Sequence, residues 1–225
     1  MLYLINRSFK LIFKFIIFIL IASIIVGLAI SIIFPIAYKN EIYKYSMENE
    51  LDPFLVAAII NVESKYDKDA ISNKDARGLM QIGLQTGNWG ADVLAIEGFD
   101  SNKLYDPEIN IRIGTWYLKQ LKSEFNNDMN LVLAAYNAGS GNVSKWLKDE
   151  SYSKDGNTLS KIPFKETDEY LDKVKFNQKV YSTIYKHYME KPDTSNGFYT
   201  DVIILLRTYL SNLIKSLRKG GYLEI

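Results

Sequence analysis

Phe15 to Tyr38 runs for 24 residues without a charged side chain, as FIIFILIASIIVGLAISIIFPIAY. A helix needs about 20 apolar residues to cross the hydrocarbon core of a bilayer. This run has no polar face, so it does not suit the surface of a water-soluble domain. It predicts one transmembrane helix near the N-terminus, followed by a separate folded domain. Arg7, Lys10 and Lys14 precede the run, and the first 40 residues contain no acid. The positive-inside rule then keeps the N-terminus in the cytoplasm and puts everything after Lys39 outside. A cleaved signal peptide is the competing reading, with an apolar core of about 7 to 15 residues. The run is longer and lacks a clean small-x-small site, which favours an uncleaved, single-pass signal anchor in the cell membrane. The expected layout is a cytoplasmic stub and anchor over 1–39, a domain over 40–190, and a linker with an amphipathic helix over 191–225.

The side chains available limit the chemistry. Cysteine is absent, and His187 is the single histidine. Disulfides, thiolate sites and multi-histidine metal sites are thereby excluded. No metal and no cofactor is expected. Lys and Arg number 27 against 26 Asp and Glu, which gives no sign of a nucleic-acid partner. The balance is uneven along the chain: residues 41–197 carry 19 bases and 24 acids, between two basic ends. Chemistry must run on carboxylates, hydroxyls, amides, Lys or Arg.

The middle of the chain reads as helical, and the fold class as all-α. Asp52-Pro53 is an N-cap followed by proline at the first helical position. Leu55, Ala58, Ile59 and Val62 follow at helical spacing. Asp106-Pro107 repeats the device ahead of Ile109, Ile113, Trp116, Leu121 and Phe125. NLVLAAYNAG (130–139) predicts a short buried helix stopped by Gly139. Residues 166–190 predict a long helix with Thr167 as N-cap and Leu171, Val174, Tyr181, Tyr185 and Tyr188 on its face. Segments 72–90 and 139–163 are expected to be glycine-containing loops. No alternating strand pattern and no internal repeat occurs. In the tail, Ile203, Leu206, Leu210, Leu213 and Leu217 share a face, while Arg207, Lys215, Arg218 and Lys219 lie elsewhere. That pattern suits a helix lying at a membrane surface and equally a helix packed on its own domain.

Glu63 is the odd residue. The apolar run LVAAIIN leads straight into it, and burying a carboxylate costs free energy unless it is paired or protonated. Glu63-Ser64 is followed by Gly78-Leu79-Met80-Gln81, then Ala135-Tyr136-Asn137-Ala138-Gly139, then Glu166-Thr167-Asp168-Glu169-Tyr170. Singly, each has a structural explanation, as a helix end, a loop, a helix stop or a helix start. As an ordered set over roughly 41–190, they resemble the catalytic domain of the soluble-lytic-transglycosylase family. The resemblance implies a lysozyme-like helical fold acting on peptidoglycan. It implies Glu63 as the single catalytic acid/base, with Gln81, Tyr136 and Asn137 lining the sugar cleft. Ser64 pairs with the acid in the motif, and Ser72 falls where a serine reaches the substrate N-acetyl group. Glu166 and Tyr170 belong to the motif that closes the cleft wall. Departures are Gly83-Leu84 where Met-Pro is usual, Ser140 where Pro is usual, and Asp168 where a base is common.

Most glycosidases use two carboxylates, and no second one is evidently paired with Glu63. The resemblance implies a way round this. Protonated Glu63 donates to the oxygen between N-acetylmuramic acid and N-acetylglucosamine, and the muramyl N-acetyl group assists at C1. The carboxylate then takes the C6 hydroxyl proton as that oxygen closes a 1,6-anhydro ring. Such an acid works best with its pKa near ambient pH, so desolvation by the LVAAIIN core should raise it. The expected partners are peptidoglycan strands and the bacterial membrane, through the N-terminal helix and the amphipathic tail. A lysozyme-type hydrolase with Asp67 or Asp69 across the cleft, and a non-catalytic glycan-binding or scaffold protein, are the alternatives.

Overall fold

The structure, a computed structural model, describes residues 2–189. The turn-rich break at 191–197 and the amphipathic segment expected beyond it lie outside the described residues. Two compact units are present, one containing the N-terminal helix and the other beginning at Ile36.

Helix α1 spans Leu2–Ile33. Within it, Ile12–Ile33 is long and apolar enough to cross a membrane, by length and composition. Phe13, Phe15, Phe18 and Ile25 are each at least 60% exposed, so this helix has no core of its own. It stops at Ile33, short of the end of the charge-free run at Tyr38. Pro35 is the cause: it has no N–H, and its ring disfavours helical backbone at Phe34. Ile36 and Ala37 are buried in the second unit.

In that unit, α2 (Lys39–Glu48) and α3 (Pro53–Glu63) come first. The Asp52 side chain caps α3 by accepting from Phe54 N–H at 2.9 Å, with Pro53 at the first helical position. Leu55 through Asn61 are all buried, so α3 is the central helix, apolar all round as such a helix must be. It packs chiefly against α8 (Lys165–Ile184). Asn61 Nδ2 donates to Asn177 Oδ1 at 2.7 Å, and Gln178 Nε2 donates to Asp52 Oδ2 at 2.6 Å.

Helix α5 (Pro107–Glu124) is capped by Asp106, which accepts from Ile109 N–H at 3.0 Å. Its buried side is wider than the expected stripe, because Ile111 and Leu118 join Ile113, Trp116 and Leu121. Helix α6 (Met129–Ala138) ends where predicted, at Gly139, which adopts φ 89°. Among the described residues there is no strand, only isolated bridges from Arg77 to Ile71 and Ile82.

Four expectations need correction. The predicted loop 72–90 ends at Gly83, and α4 (Leu84–Val93) follows. Its glycines make this helix by docking: a Cβ on Gly90 would come within 2.8 Å of Ile113 Cγ2. The predicted loop 139–163 contains α7 (Ser140–Leu147), held by buried Val143 and Trp146. Thr167 does not cap α8. The helix enters through Phe164 without a side-chain cap, and Thr167 is buried, its hydroxyl committed to Asn137. The long helix also breaks at Tyr185, with a short α9 (Lys186–Met189) after it.

Candidate active site

Glu63 is the last residue of α3, where the helix meets the N-terminal half of α8. Lys65 and Tyr66 then take left-handed backbone, at φ 55° and 64°. Tyr66 is buried, and its hydroxyl donates to Ala57 O at 3.4 Å. This turn carries the polar loop away and leaves Glu63 at the core's edge, half-buried. Its carboxyl pKa is pushed up from 4.5 to about 7, chiefly by desolvation. The Tyr170 hydroxyl opposes that rise, and the negative charge of Glu166 adds to it. The carbonyl end of α3 also disfavours a carboxylate there.

Two phenols flank the acid. The Tyr170 hydroxyl is buried and makes no hydrogen bond of ordinary length, so its contact with Glu63 is long and weak. Burial raises its pKa, and the Glu63 and Tyr136 charges raise it further. The Tyr136 hydroxyl donates to Met80 O at 2.8 Å. Its pKa is likewise raised by burial first, then by Glu63 and Tyr117. The Asn137 side chain accepts from Thr167 Oγ1 at 2.8 Å, which ties α6 to α8 beside the acid.

The 78–82 loop forms the opposite support. Gly78 has φ +74°, and a Cβ there would lie 2.1 Å from Leu104 O and 2.4 Å from Asn110 Nδ2. Asn110 is the organiser. Its Nδ2 donates to Arg77 O at 2.9 Å and to Leu104 O at 2.7 Å, and its Oδ1 accepts from Met80 N–H at 2.8 Å. Gln81, at φ 48°, donates from Nε2 to Ala70 O at 3.1 Å and Gly78 O at 3.0 Å. Neither Asn110 nor Tyr117 was singled out from sequence. A signal existed for Asn110: an amide between two isoleucines, in a helix whose start Asp106 already caps. Tyr117 is half-buried and stands 5.7 Å from Tyr136, centroid to centroid.

Of the remaining sequence candidates, Glu166 acts on the acid and Ser64 adjoins it in the chain, whereas Ser72 is committed to its own loop. Ser64 is nearly buried, and its hydroxyl donates to Ile60 O at 3.2 Å. Ser72 accepts from the amides of Lys74 at 3.2 Å and Ala76 at 3.0 Å, folding its own loop. Glu166 is exposed in the first turn of α8, near enough for its charge to act on Glu63. Asp67 accepts from Asp69 N–H at 3.0 Å, and Asp69 pairs with Lys68 at 2.8 Å. Both are exposed, and neither acts on the proton of Glu63. Among the described residues, no group of three or more His, Cys, Asp or Glu side chains is arranged to hold a metal. A hollow of about 500 Å³ beside Phe125, Leu131 and Leu147 lies at the far end of α6. It shares no residue with the Glu63 centre.

The family model of the transglycosylase SLT domain matches residues 40–159. The chain belongs to that family. It is 35% identical over 162 residues to the soluble lytic murein transglycosylase of Escherichia coli K12, covering 71% of this chain and 24% of that protein. It is 31% identical to the membrane-bound lytic murein transglycosylase C of Photorhabdus laumondii, over 64% of this chain and 46% of that protein. An inactive glutamate-to-glutamine mutant of the lytic transglycosylase Slt from Pseudomonas aeruginosa superposes with a TM-score of 0.61 at 32% identity. That match covers 68% of this chain and 25% of Slt. This SLT-domain chain thus spans about a quarter of the length of the soluble relatives it matches. Its helical domain shares their lysozyme-like fold.

Proposed function

We propose that this protein is a membrane-anchored lytic transglycosylase of peptidoglycan, with Glu63 as its single acid/base. The observation that carries the reading is the half-buried Glu63 carboxyl, held protonated up to about pH 7 between the phenols of buried Tyr170 and half-buried Tyr136. A neutral carboxylic acid at that pH can donate to a glycosidic oxygen. The C1–O4 bond between N-acetylmuramic acid and N-acetylglucosamine breaks as O4 takes the Glu63 proton. The muramyl N-acetyl oxygen covers C1. Glu63, now a carboxylate, removes the proton from the same sugar's C6 hydroxyl. A C1–O6 bond forms, the acid is restored, and no water is consumed. Tyr170 steadies the carboxylate between the two halves. Asn137 and Tyr136, each fixed by one hydrogen bond, orient the N-acetyl group; Gln81 and Ser72 hold the cleft-side loop, and Ser64 closes the end of α3 beside the acid. A hydrolase would need a second carboxylate to direct water; Asp67 and Asp69 are engaged in their own exposed turn, and Glu166, whose charge does reach Glu63, stands exposed in the first turn of α8.

The same reading has 1–39 as a single-pass anchor with a cytoplasmic N-terminus, 40–190 as the catalytic domain acting on the wall outside, and 191–225 as a linker and amphipathic helix at the membrane. Relatives named as membrane-bound support the anchor. The test uses the full chain in detergent micelles with purified peptidoglycan. Mass spectrometry should find fragments one water lighter than hydrolytic products, and none from Glu63→Gln. Hydrated reducing ends would replace this reading with a hydrolase. No products from folded protein would replace it with a binding or scaffold role.

A further inference from the structure

The chain has three tryptophans. Trp116 and Trp146 are buried, at 6% and 7% exposure, while Trp89 is 47% exposed. Leaving an indole half in water forgoes the burial of a large apolar surface, and Trp89 is not loose. Gly87 and Gly90 let α4 dock directly on its neighbours, since a Cβ at Gly87 would lie 3.1 Å from Leu104 and one at Gly90 2.8 Å from Ile113. The indole meets Trp116 edge-to-face, at 4.6 Å and 74°. It also stands 6.4 Å from Tyr117 at 78°.

Tyr117 in turn stands 5.7 Å from Tyr136, whose phenol feels the charge of Glu63. The aromatic row therefore starts at the acid and runs outward, from half-buried Tyr136 and Tyr117 to exposed Trp89. Each step is comparable to the length of one pyranose. A pyranose offers an apolar C–H face that packs against an aromatic ring, and a pre-fixed ring loses little rotamer freedom when it does so.

We propose that Trp89 is an outer sugar platform of the cleft. It takes a sugar of the glycan strand two ring steps beyond Tyr136, and so favours long strands over short fragments. This rests on the glycan-cleaving reading above. Continuity with the Glu63 centre selects a glycan over a lipid surface or a protein partner.

The test measures binding by the full chain in detergent micelles carrying Glu63→Gln, so that no turnover occurs. The probes are peptide-free glycan strands of two and of eight sugars. Adding Trp89→Ala should weaken octasaccharide binding about five- to tenfold, the scale of one aromatic stacking contact. Disaccharide affinity should stay within about twofold. Trp89→Phe should keep most of the octasaccharide affinity and lose the change in tryptophan emission that the octasaccharide induces. Unchanged octasaccharide binding overturns the proposal. So does an equal loss for both lengths, which would mark a structural role for Trp89, and so does a loss seen only in binding to lipid vesicles. If the Glu63→Gln protein with Trp89 intact binds neither glycan, the glycan reading falls together with the platform.

Discussion

Glu63→Gln should make the protein more stable above neutral pH while abolishing turnover. The carboxyl holds its proton more tightly in the fold than in the unfolded chain, with a pKa of about 7 against 4.5. Between those values the folded state binds more protons than the unfolded one. Stability therefore falls as pH rises through that window, and the whole penalty is present above it. A shift of that size corresponds to at most about 3 kcal/mol. Because Glu63 is half-buried and not enclosed, a fair expectation is about 1–2 kcal/mol. Glutamine mimics the protonated acid in shape and carries no such penalty. Thermal unfolding of full-length wild type and Glu63→Gln in detergent micelles should coincide near pH 4.5. The mutant should unfold several degrees higher at pH 8 to 8.5, as about 1–2 kcal/mol implies for a domain of this size. Equal melting temperatures at pH 8, or a less stable mutant there, would mean that Glu63 ionises without strain. The account of Glu63 as a desolvated acid would then be wrong.

The same carboxyl should shape the rate. The value of kcat/KM on peptidoglycan should fall as pH rises through about 7, because the free enzyme must enter protonated. Glu166→Gln removes a charge that raises the Glu63 pKa, so the midpoint should move to lower pH; an unmoved midpoint would exclude Glu166 as a neighbour that matters. Asn110→Ala strips the buried Met80 N–H and two carbonyls of their partner. Denaturant unfolding should show a loss of about 3–5 kcal/mol, with activity falling as the 78–82 loop loosens. Thr167→Val removes the donor to Asn137 and should cost about 1 kcal/mol. Its kcat should drop more than its KM rises if Asn137 serves the transition state, and a pure KM effect would reassign Asn137 to ground-state binding.

Features encoded within a few residues were legible in the sequence. Asp52-Pro53 and Asp106-Pro107 announce their helices because cap and proline act on the next turn alone. The misplaced acid at Glu63 was visible for a similar reason, since its apolar neighbours precede it directly. Tyr136, Asn137 and Tyr170 were found through resemblance, because nothing local says that a tyrosine near residue 170 will face a glutamate at 63. Helix α4 was misread as loop because LQTGNWGADV contains two glycines. Its stability comes from the close approach those glycines permit, a contact invisible to propensity. Asn110 was passed over because one of its partners is the carbonyl of Arg77, 33 residues upstream. The aromatic row was hidden likewise: Trp89, Tyr117 and Tyr136 come from three helices.

Met80 is the peptide unit gripped from both sides, its N–H taken by Asn110 on α5 and its carbonyl by Tyr136 on α6. Its side chain fills the space that the missing Cβ of Gly114 leaves open. A segment pinned in this way has no room to drift on its own: substitutions at 80, 110, 114 and 136 would have to be exchanged as a set. Exposed side chains on α4, such as Trp89 and Val93, carry no such obligation. Enzymes descended from a common ancestor of this chain would therefore diversify their preferred strand chemistry along that helix, while the turn beneath the acid stayed as it was.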